Sequence, residues 1–216
     1  GATEAGNNWI GFAMHRAPGP FLAVQPTTDL AKRLSQQRID PLIEESPELR
    51  ELVLPSRSRD SGNTILAKRF PDGQLVLTGA NSAVGLRSMP ARWVFLDEVD
   101  AYPGDIDGEG DPVHLAEART NSFGHRSKVF LASTPTVRGY SRIEREFEMS
   151  DQQRYHVPCP HCGGLQWLKF ERLRWEAGRP ETALYQCEHC DEAISERHKT
   201  WMMDEANGAC WMATAD

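Results

Sequence analysis

The chain has 216 residues, of which 39% are hydrophobic and 25% charged; that suits one sizeable folded domain with a small appendage, not a disordered or fibrous protein. No apolar run approaches the ~20 residues that cross a bilayer, and the first residues lack the basic and then apolar pattern of a secretory leader, so neither a membrane protein nor visible export is expected. With 24 Lys plus Arg against 31 Asp plus Glu and a net charge of -7, the chain does not coat nucleic acid by charge alone, although a local basic groove remains open.

The sequence opens GATEAGNNW. Glycine, a small residue and a hydroxyl, followed by a helix-compatible stretch, is how a phosphate-binding loop ends; the competing reading is an ordinary flexible terminus. On the first reading Gly1 and Thr3 bind nucleotide, and the Thr3 hydroxyl occupies the slot that ligates Mg²⁺. Ala2 stands where the usual loop has lysine. The strand leading into the loop is then expected before residue 1, and ATP binding by residues 1–216 alone is expected to be poor.

Phe21 to Val24 is a short apolar strand ending in Gln25-Pro26. Thr27, Thr28 and Asp29 offer caps for a helix over LAKRLSQQRI, with Leu30, Leu34 and Ile39 on one face. Pro41 and Pro47 flank a second short helix, and Ser56 to Asn63 reads as a polar connection. TILAKRF and QLVLTGA lie either side of the turn Pro71-Asp72-Gly73 and predict a strand pair. WVFLDEVD begins as a buried strand at Trp93 and ends abruptly in acids. DIDGEGDP is an acidic loop without the full twelve-residue calcium pattern, followed by a helix from Pro112 to Asn121. Val129 to Thr134 is another buried strand, and Arg142 to Glu148 a helix. Four- to six-residue apolar strands alternating with helices predict an α/β layer with a largely parallel sheet.

Ligands gather at the carboxyl edge of such a sheet, where Asp97 and Glu98 are expected. An acid after an apolar strand holds Mg²⁺ in phosphate-loop hydrolases, and a neighbouring acid orients and deprotonates water. The plain alternative is an acidic loop cap. A second polar pair, Ser133-Thr134, ends the following strand, where it would lie beside the γ-phosphate and sense hydrolysis.

Cys159-Pro-His-Cys162 and Cys187-Glu-His-Cys190 form two matched CxxC knuckles. Four thiolates at this spacing suit a closed tetrahedral Zn²⁺ site that contributes folding energy, not catalysis. His161 and His189 are expected to be exposed or hydrogen-bonded to the knuckle and not to be ligands. Cys210 reads as a buried inert thiol. Trp167, Phe170 and Trp175 are read as the mini-core of this unit in preference to a base-stacking platform.

The segments EAGNNW, GANSAVGLRS, FLDEVDAYP, STPTVRGYSRIEREFEMSDQQRYHVPCPHCG and YQCEHC resemble the ATPase region of the large terminase subunit of tailed phages, the lambda-type GpA family, along nearly the whole chain. The resemblance implies a P-loop NTPase (ASCE) sheet lacking its first strand over residues 1–150, a zinc ribbon over 155–193, and a linker over 194–216 towards a C-terminal endonuclease domain. It also implies a deviant phosphate loop whose lysine lies before residue 1. By the same resemblance, Asp97 is the Mg²⁺-side acid of the Walker B motif, Glu98 the catalytic glutamate and Ser133-Thr134 the coupling motif. GLRS is similar to the arginine-containing loop of packaging ATPases, which makes Arg87 a candidate phosphate contact or arginine finger; a surface salt bridge is its plain alternative.

The resemblance further implies a motor using ATP, Mg²⁺ and Zn²⁺, with double-stranded viral DNA, the small terminase subunit and the portal or procapsid as partners. A homo-oligomeric ring in the host bacterial cytoplasm is expected. QPT, DEVD and STPT are also similar to helicase motifs, and a third alternative is a zinc-dependent DNA-binding or assembly module with a decayed ATPase.

Overall fold

The computed structural model describes residues 1–53 and 62–215, so most of the polar connection expected from Ser56 lies outside the described residues. The chain divides into two compact units, Gly1–Glu144 and Arg145–Asp216.

The first unit is a five-stranded sheet built from β1 (Phe21–Gln25), β2 (Ala67–Phe70), β3 (Gly73–Gly79), β4 (Trp93–Asp97) and β5 (Lys128–Ala132), in the order β2-β3-β1-β4-β5. β3, β1, β4 and β5 run parallel, and β2 alone is antiparallel, paired with β3. The expected turn closes the β2–β3 pair, with Asp72 in the left-handed region at φ 60. β1 and β4 are buried at every position, which is why both read as unbroken apolar runs and not as alternating ones. Register aligns Gln25 with Gly79, Val24 with Leu96, and Asp97 with Ala132. Gln25, Asp97 and the residues following Ala132 therefore share the carboxyl edge.

Helix α1 (Ala2–Arg16) covers one face of the sheet and contributes Ile10, Ala13 and Met14 to a core with Phe21, Leu77 and Phe95. Two contacts fix its direction. Near the amino edge, the Trp93 indole Nε1 donates to Ala17 O at 2.9 Å; at the carboxyl edge, Thr3 reaches Asp97. The helix thus runs antiparallel to the strands and presents its N-terminus where β4 ends. A second core with Leu22, Val24, Leu86, Val94, Leu96, Val99 and Tyr102 fills the opposite face, beneath α5 (Ala83–Leu86) and α6 (Pro112–Glu117).

The region after β1 departs from a single helix. α2 (Thr28–Leu34) passes into a π-helical turn, Ser35–Ile39, then into α3 (Asp40–Glu45) and α4 (Pro47–Leu52). Pro41 lies in the first turn of α3 and does not precede it, and Pro47 opens α4. At Pro47, which follows the extended Ser46, a missing N–H costs nothing; Pro41 follows the π turn directly, with Ile39 and Asp40 already helical. The wider π turn lets Leu34 and Ile39, five residues apart, both be buried, whereas Leu30 remains 39% exposed.

α7 (Arg142–Glu148) carries the chain out of the first unit. The second unit contains two three-stranded antiparallel sheets. One joins β6 (Arg154–Pro158), β7 (Leu165–Trp167) and β11 (Cys210–Met212); the other joins β8 (Leu173–Glu176), β9 (Arg179–Gln186) and β10 (Ala193–Ile194). Within the span expected to be a linker, the short helix α8 (Lys199–Met202) places Met202 in the core of the second unit, and β11 pairs with β6. That core is Val157, Cys159, Tyr185, Cys187, Ile194, Met202 and Ala209. The expected aromatic mini-core is absent from it. Phe170 is 76% and Trp175 48% exposed, and Trp167 lies beneath the Arg154 and Lys169 cations. No helix among the described residues is long and apolar enough to cross a membrane.

Candidate functional site

The carboxyl edge gathers residues from opposite parts of the chain. Thr3 Oγ1 donates to Asp97 Oδ1 at 3.1 Å, and Gln25 Nε2 donates to Asp97 Oδ2 at 3.0 Å. Asp97 and Gln25 are buried. An uncompensated carboxylate there would be costly; two donors and the N-terminus of a fifteen-residue helix, with its first N–H groups unpaired inside the helix, stabilise negative charge at this point. Gly1 is the N-cap of α1, and its carbonyl accepts from Glu4 N at 3.1 Å. The structure therefore brings together Gly1, Thr3 and Asp97. It adds Gln25, whose role as partner to Asp97 is not visible from its place in QPT alone; the available signal is an amide at the end of an otherwise apolar buried strand.

Glu98 follows at once and adopts φ 56, ψ 50, a left-handed conformation uncommon outside glycine. It follows β4 and caps the N-terminus of a 3₁₀ turn, Val99–Ala101. Its carboxylate is exposed and has no hydrogen-bond or ion-pair partner among the described residues. Tyr102 anchors the same loop by donating to Val24 O at 2.8 Å; burial, then the Asp97 charge, pushes its phenol well above the ordinary value.

β5 ends at Ala132, two residues before its expected limit, so Ser133 and Thr134 lie in the loop beyond it. Ser133 Oγ accepts from Asp100 N at 3.2 Å, which joins the two loops; Thr134 is exposed. Arg87 caps α5, and its guanidinium pairs with Glu109 at 2.8 Å in the acidic loop. No described contact joins it to Thr3, Asp97 or Glu98. The acidic loop satisfies itself, since the Asp105 carboxylate accepts from Gly108 N at 2.7 Å and Gly110 N at 2.8 Å.

In the second unit the Sγ atoms of Cys159, Cys162, Cys187 and Cys190 all lie within 4.8 Å of one another. Cys159 and Cys190 approach to 3.9 Å, as do Cys162 and Cys187. A tetrahedral ion with Zn–S near 2.3 Å needs sulfurs about 3.8 Å apart, so the donor set fits such an ion. The two knuckles fold alike. His161 N donates to Cys159 Sγ and His189 N to Cys187 Sγ, each at 3.4 Å. The residues after the second cysteines, Gly163 and Asp191, are both left-handed, with φ 72 and 57. The histidine rings face carbonyls and are not in the sulfur cluster: His161 Nε2 lies 3.3 Å from Ala193 O and His189 Nε2 2.8 Å from Leu165 O. Burial raises the Cys187 thiol, but the Cys190 and His189 amides and the neighbouring thiols outweigh it and lower it to about 6. Cys210 is half-buried in β11, outside the cluster.

The family model described as phage terminase large subunit gpA, ATPase domain, matches residues 1–211. The large terminase subunit of Enterobacteria phage P21 is 31% identical over 205 residues, which cover 91% of this chain and 31% of that protein. The large terminase subunit of Escherichia phage lambda is 33% identical over 172 residues, covering 76% and 27% respectively. The chain thus spans less than a third of the length of these curated relatives. Among solved structures, the ATPase domain of the Thermus phage P74-26 large terminase has 16% identity and a TM-score of 0.44, over 77% of this chain and 67% of that one. The large terminase of a thermophilic bacteriophage has 16% identity and a TM-score of 0.43, over 60% and 30%. The match over residues 1–211 takes in both the carboxyl-edge residues and the four cysteines: the chain belongs to the gpA family of phage terminase large subunits and corresponds to its ATPase domain.

Proposed function

We propose that the first unit is the ATPase motor of a viral DNA-packaging enzyme, coupling Mg-ATP hydrolysis to the movement of double-stranded DNA into a procapsid. The observation that carries this reading is the hydrogen bond between Thr3 and Asp97 at the N-terminus of α1, with Gln25 behind it and Glu98 beside it. Thr3 Oγ1 and the Asp97 carboxylate are an oxygen pair that would hold Mg²⁺, directly or through its water, while the α1 amides receive phosphate oxygens. Bound Mg²⁺ would neutralise phosphate charge. Glu98, exposed and unpaired, orients the attacking water and accepts its proton. Ser133-Thr134 lie one loop away and link the state of the nucleotide to the rest of the chain.

Arg87 enters this reading as a phosphate contact, in its own site or a neighbouring subunit's. It is 46% exposed and its partner Glu109 32%, and a pair so open contributes only ~0–1 kcal/mol, so the guanidinium is easily released. The four cysteines hold a structural Zn²⁺ that stabilises the second unit. In the complete protein, a small terminase subunit, the portal and a ring of copies are the partners, an endonuclease activity lies outside residues 1–216, and the setting is the host bacterial cytoplasm.

The test uses full-length protein with DNA. Glu98→Gln should lower the ATPase kcat by about 10²-fold or more while a fluorescent ATP analogue binds as before. Wild-type turnover in this variant would overturn the assignment of Glu98 and, with it, the mechanism.

A further inference from the structure

The last acid of DEVD has no role in the reading above, yet it makes more polar contacts than either acid before it. Asp100 Oδ2 accepts from Thr136 N at 3.0 Å and from Thr136 Oγ1 at 3.1 Å, and Oδ1 accepts from Ile143 N at 3.0 Å. Its own N–H donates to Ser133 Oγ at 3.2 Å. One residue of the loop after β4 thus engages three points along the segment after β5: its first residue, its middle, and the first turn of α7. A second clamp returns from that segment. Arg142 donates to the carbonyls of Val99 at 3.0 Å, Tyr102 at 2.9 Å and Pro103 at 2.7 Å, and its guanidinium also meets Asp111 Oδ2 at 3.1 Å.

These contacts bear on Glu98. A non-glycine residue stays in a left-handed conformation only where its surroundings over-determine it. The Glu98 side chain has no hydrogen-bond or ion-pair partner among the described residues to hold it, so its position is set by the main chain, and two residues on the main chain is pinned by Asp100. The pinning requires the ionised carboxylate. Both oxygens are acceptors, so an amide in the same place would turn an NH₂ donor against either the Ile143 N–H or the Thr136 donors.

We propose that Asp100 is a positioning residue: its ionised carboxylate locks the loop carrying Glu98 to the loop carrying Ser133-Thr134 and to the start of α7, so that the water-activating acid and the hydrolysis-sensing loop move as one body. The proposal rests on the ATPase reading and deepens it. In this arrangement the loop that follows Ser133 cannot shift without carrying Asp100, and through two peptide units Glu98, with it. α7 begins inside the clamp and leads the chain into the second unit, so displacement of this body is delivered directly to the helix by which the chain leaves the ATPase unit.

The experiment is steady-state ATPase kinetics of the full-length protein with DNA, comparing wild type, Asp100→Asn, Thr136→Val and Glu98→Gln, each checked by circular dichroism. Asp100→Asn should lower kcat by about 10²-fold, the penalty of misplacing a reacting group by about an ångström, with KM for ATP unchanged. Thr136→Val removes one of the donors and keeps the others; it should lower kcat less, again without a change in KM. If Asp100→Asn fails to fold, Thr136→Val decides: a reduced kcat at constant KM supports the proposal, and a wild-type kcat overturns it. A rise in KM at constant kcat in either variant also overturns it, since that marks a nucleotide contact. Inactive Glu98→Gln beside fully active Asp100→Asn and Thr136→Val removes the positioning role and spares the ATPase reading, whereas fully active Glu98→Gln removes that reading itself.

Discussion

Gly6 lies one turn beyond Thr3, on the face of α1 that meets β4, and it sets how closely the helix approaches the sheet. A Cβ added there would lie 2.1 Å from Cζ and 2.3 Å from Cε1 of Phe95, where carbon atoms pack at about 3.5–4.0 Å. The ring is fully buried and stacked on Phe130 at a centroid distance of 5.2 Å, so it has no free direction in which to yield. Gly6→Ala must lift α1 or force Phe95 off its rotamer, an overpacking that costs about 1–3 kcal/mol. Replacing a helical glycine by alanine offsets ~0.5–1 kcal/mol of that. Taking the middle of each range, the net loss is about 1 kcal/mol, which lowers Tm by roughly 2–4 °C for a chain of this size. Gly11 on the same helix provides the control. Its added Cβ would meet Leu49 Cδ1 at 3.4 Å and Leu42 Cδ2 at 3.5 Å, ordinary contacts, so Gly11→Ala should gain the helix term and raise Tm. Calorimetric melts of the three proteins give the answer. A Gly6→Ala protein that melts at or above the wild-type temperature would refute the claim that this glycine is required by close approach to Phe95.

Two further outcomes are expected. Metal analysis of the purified protein should return one zinc per chain, and chelation or Cys187→Ser should unfold the second unit, because structural zinc carries ~10–16 kcal/mol of apparent binding free energy and the core there is only seven residues; a folded second unit with no metal and four free thiols would exclude the assignment. Acid titration tests Asp100. Burial raises its carboxyl, but hydrogen bonds from Ile143, Ser141 and Thr136 outweigh it and hold it below the ordinary aspartate value. A folded-state pKa below the unfolded one means that the stabilisation is present above the unfolded value and is lost as pH falls through the folded one. The Tm gap between wild type and Asp100→Asn should therefore be steady from neutral pH and close only once the pH falls below the ordinary aspartate range; a gap that persists in strong acid would contradict the hydrogen-bond account.

The elements that carry the site are legible in the sequence because they are buried on both faces. FLAVQ and WVFLD tolerate a polar residue only where the strand stops, so Gln25 and Asp97 mark the sheet edge in the sequence itself. Their pairing is not legible. Thr3 and Gln25 lie 94 and 72 residues from Asp97, and local patterning carries no information about which strands become neighbours; the order β3-β1-β4 is fixed by crossovers. The second short helix departs from its expected bounds for a similar reason. Pro41 reads as a boundary, but the π turn before it, where Asp40 N–H bonds to Ser35 O, carries the chain from α2 into α3 without a break, and a π bulge is a place where a helix tolerates irregular hydrogen bonding.

The aromatic residues of the second unit lie outside its core, which is the arrangement expected if the four cysteines hold the proposed structural ion and so reduce the need for a larger apolar centre. Two of its seven core residues are cysteines, and the rest pack around the sulfur cluster. The proposed four-thiolate site would contribute folding energy that a larger apolar core would otherwise supply; Phe170 and Trp175 lie on the surface, 6.0 Å apart. Exposure does not make them a base-stacking platform. Such a platform works beside free cations that track a phosphate backbone, whereas Lys169 pairs with Glu188, Arg172 with Asp191, and Arg179 with Glu176 and Glu181; Arg174 donates to the carbonyls of Glu171 and Leu173 and has no carboxylate partner among the described residues. The carboxylates Glu176, Glu181, Glu188 and Asp191 lower the net positive charge beside the rings, although pairs as open as those of Arg179 contribute only ~0–1 kcal/mol each.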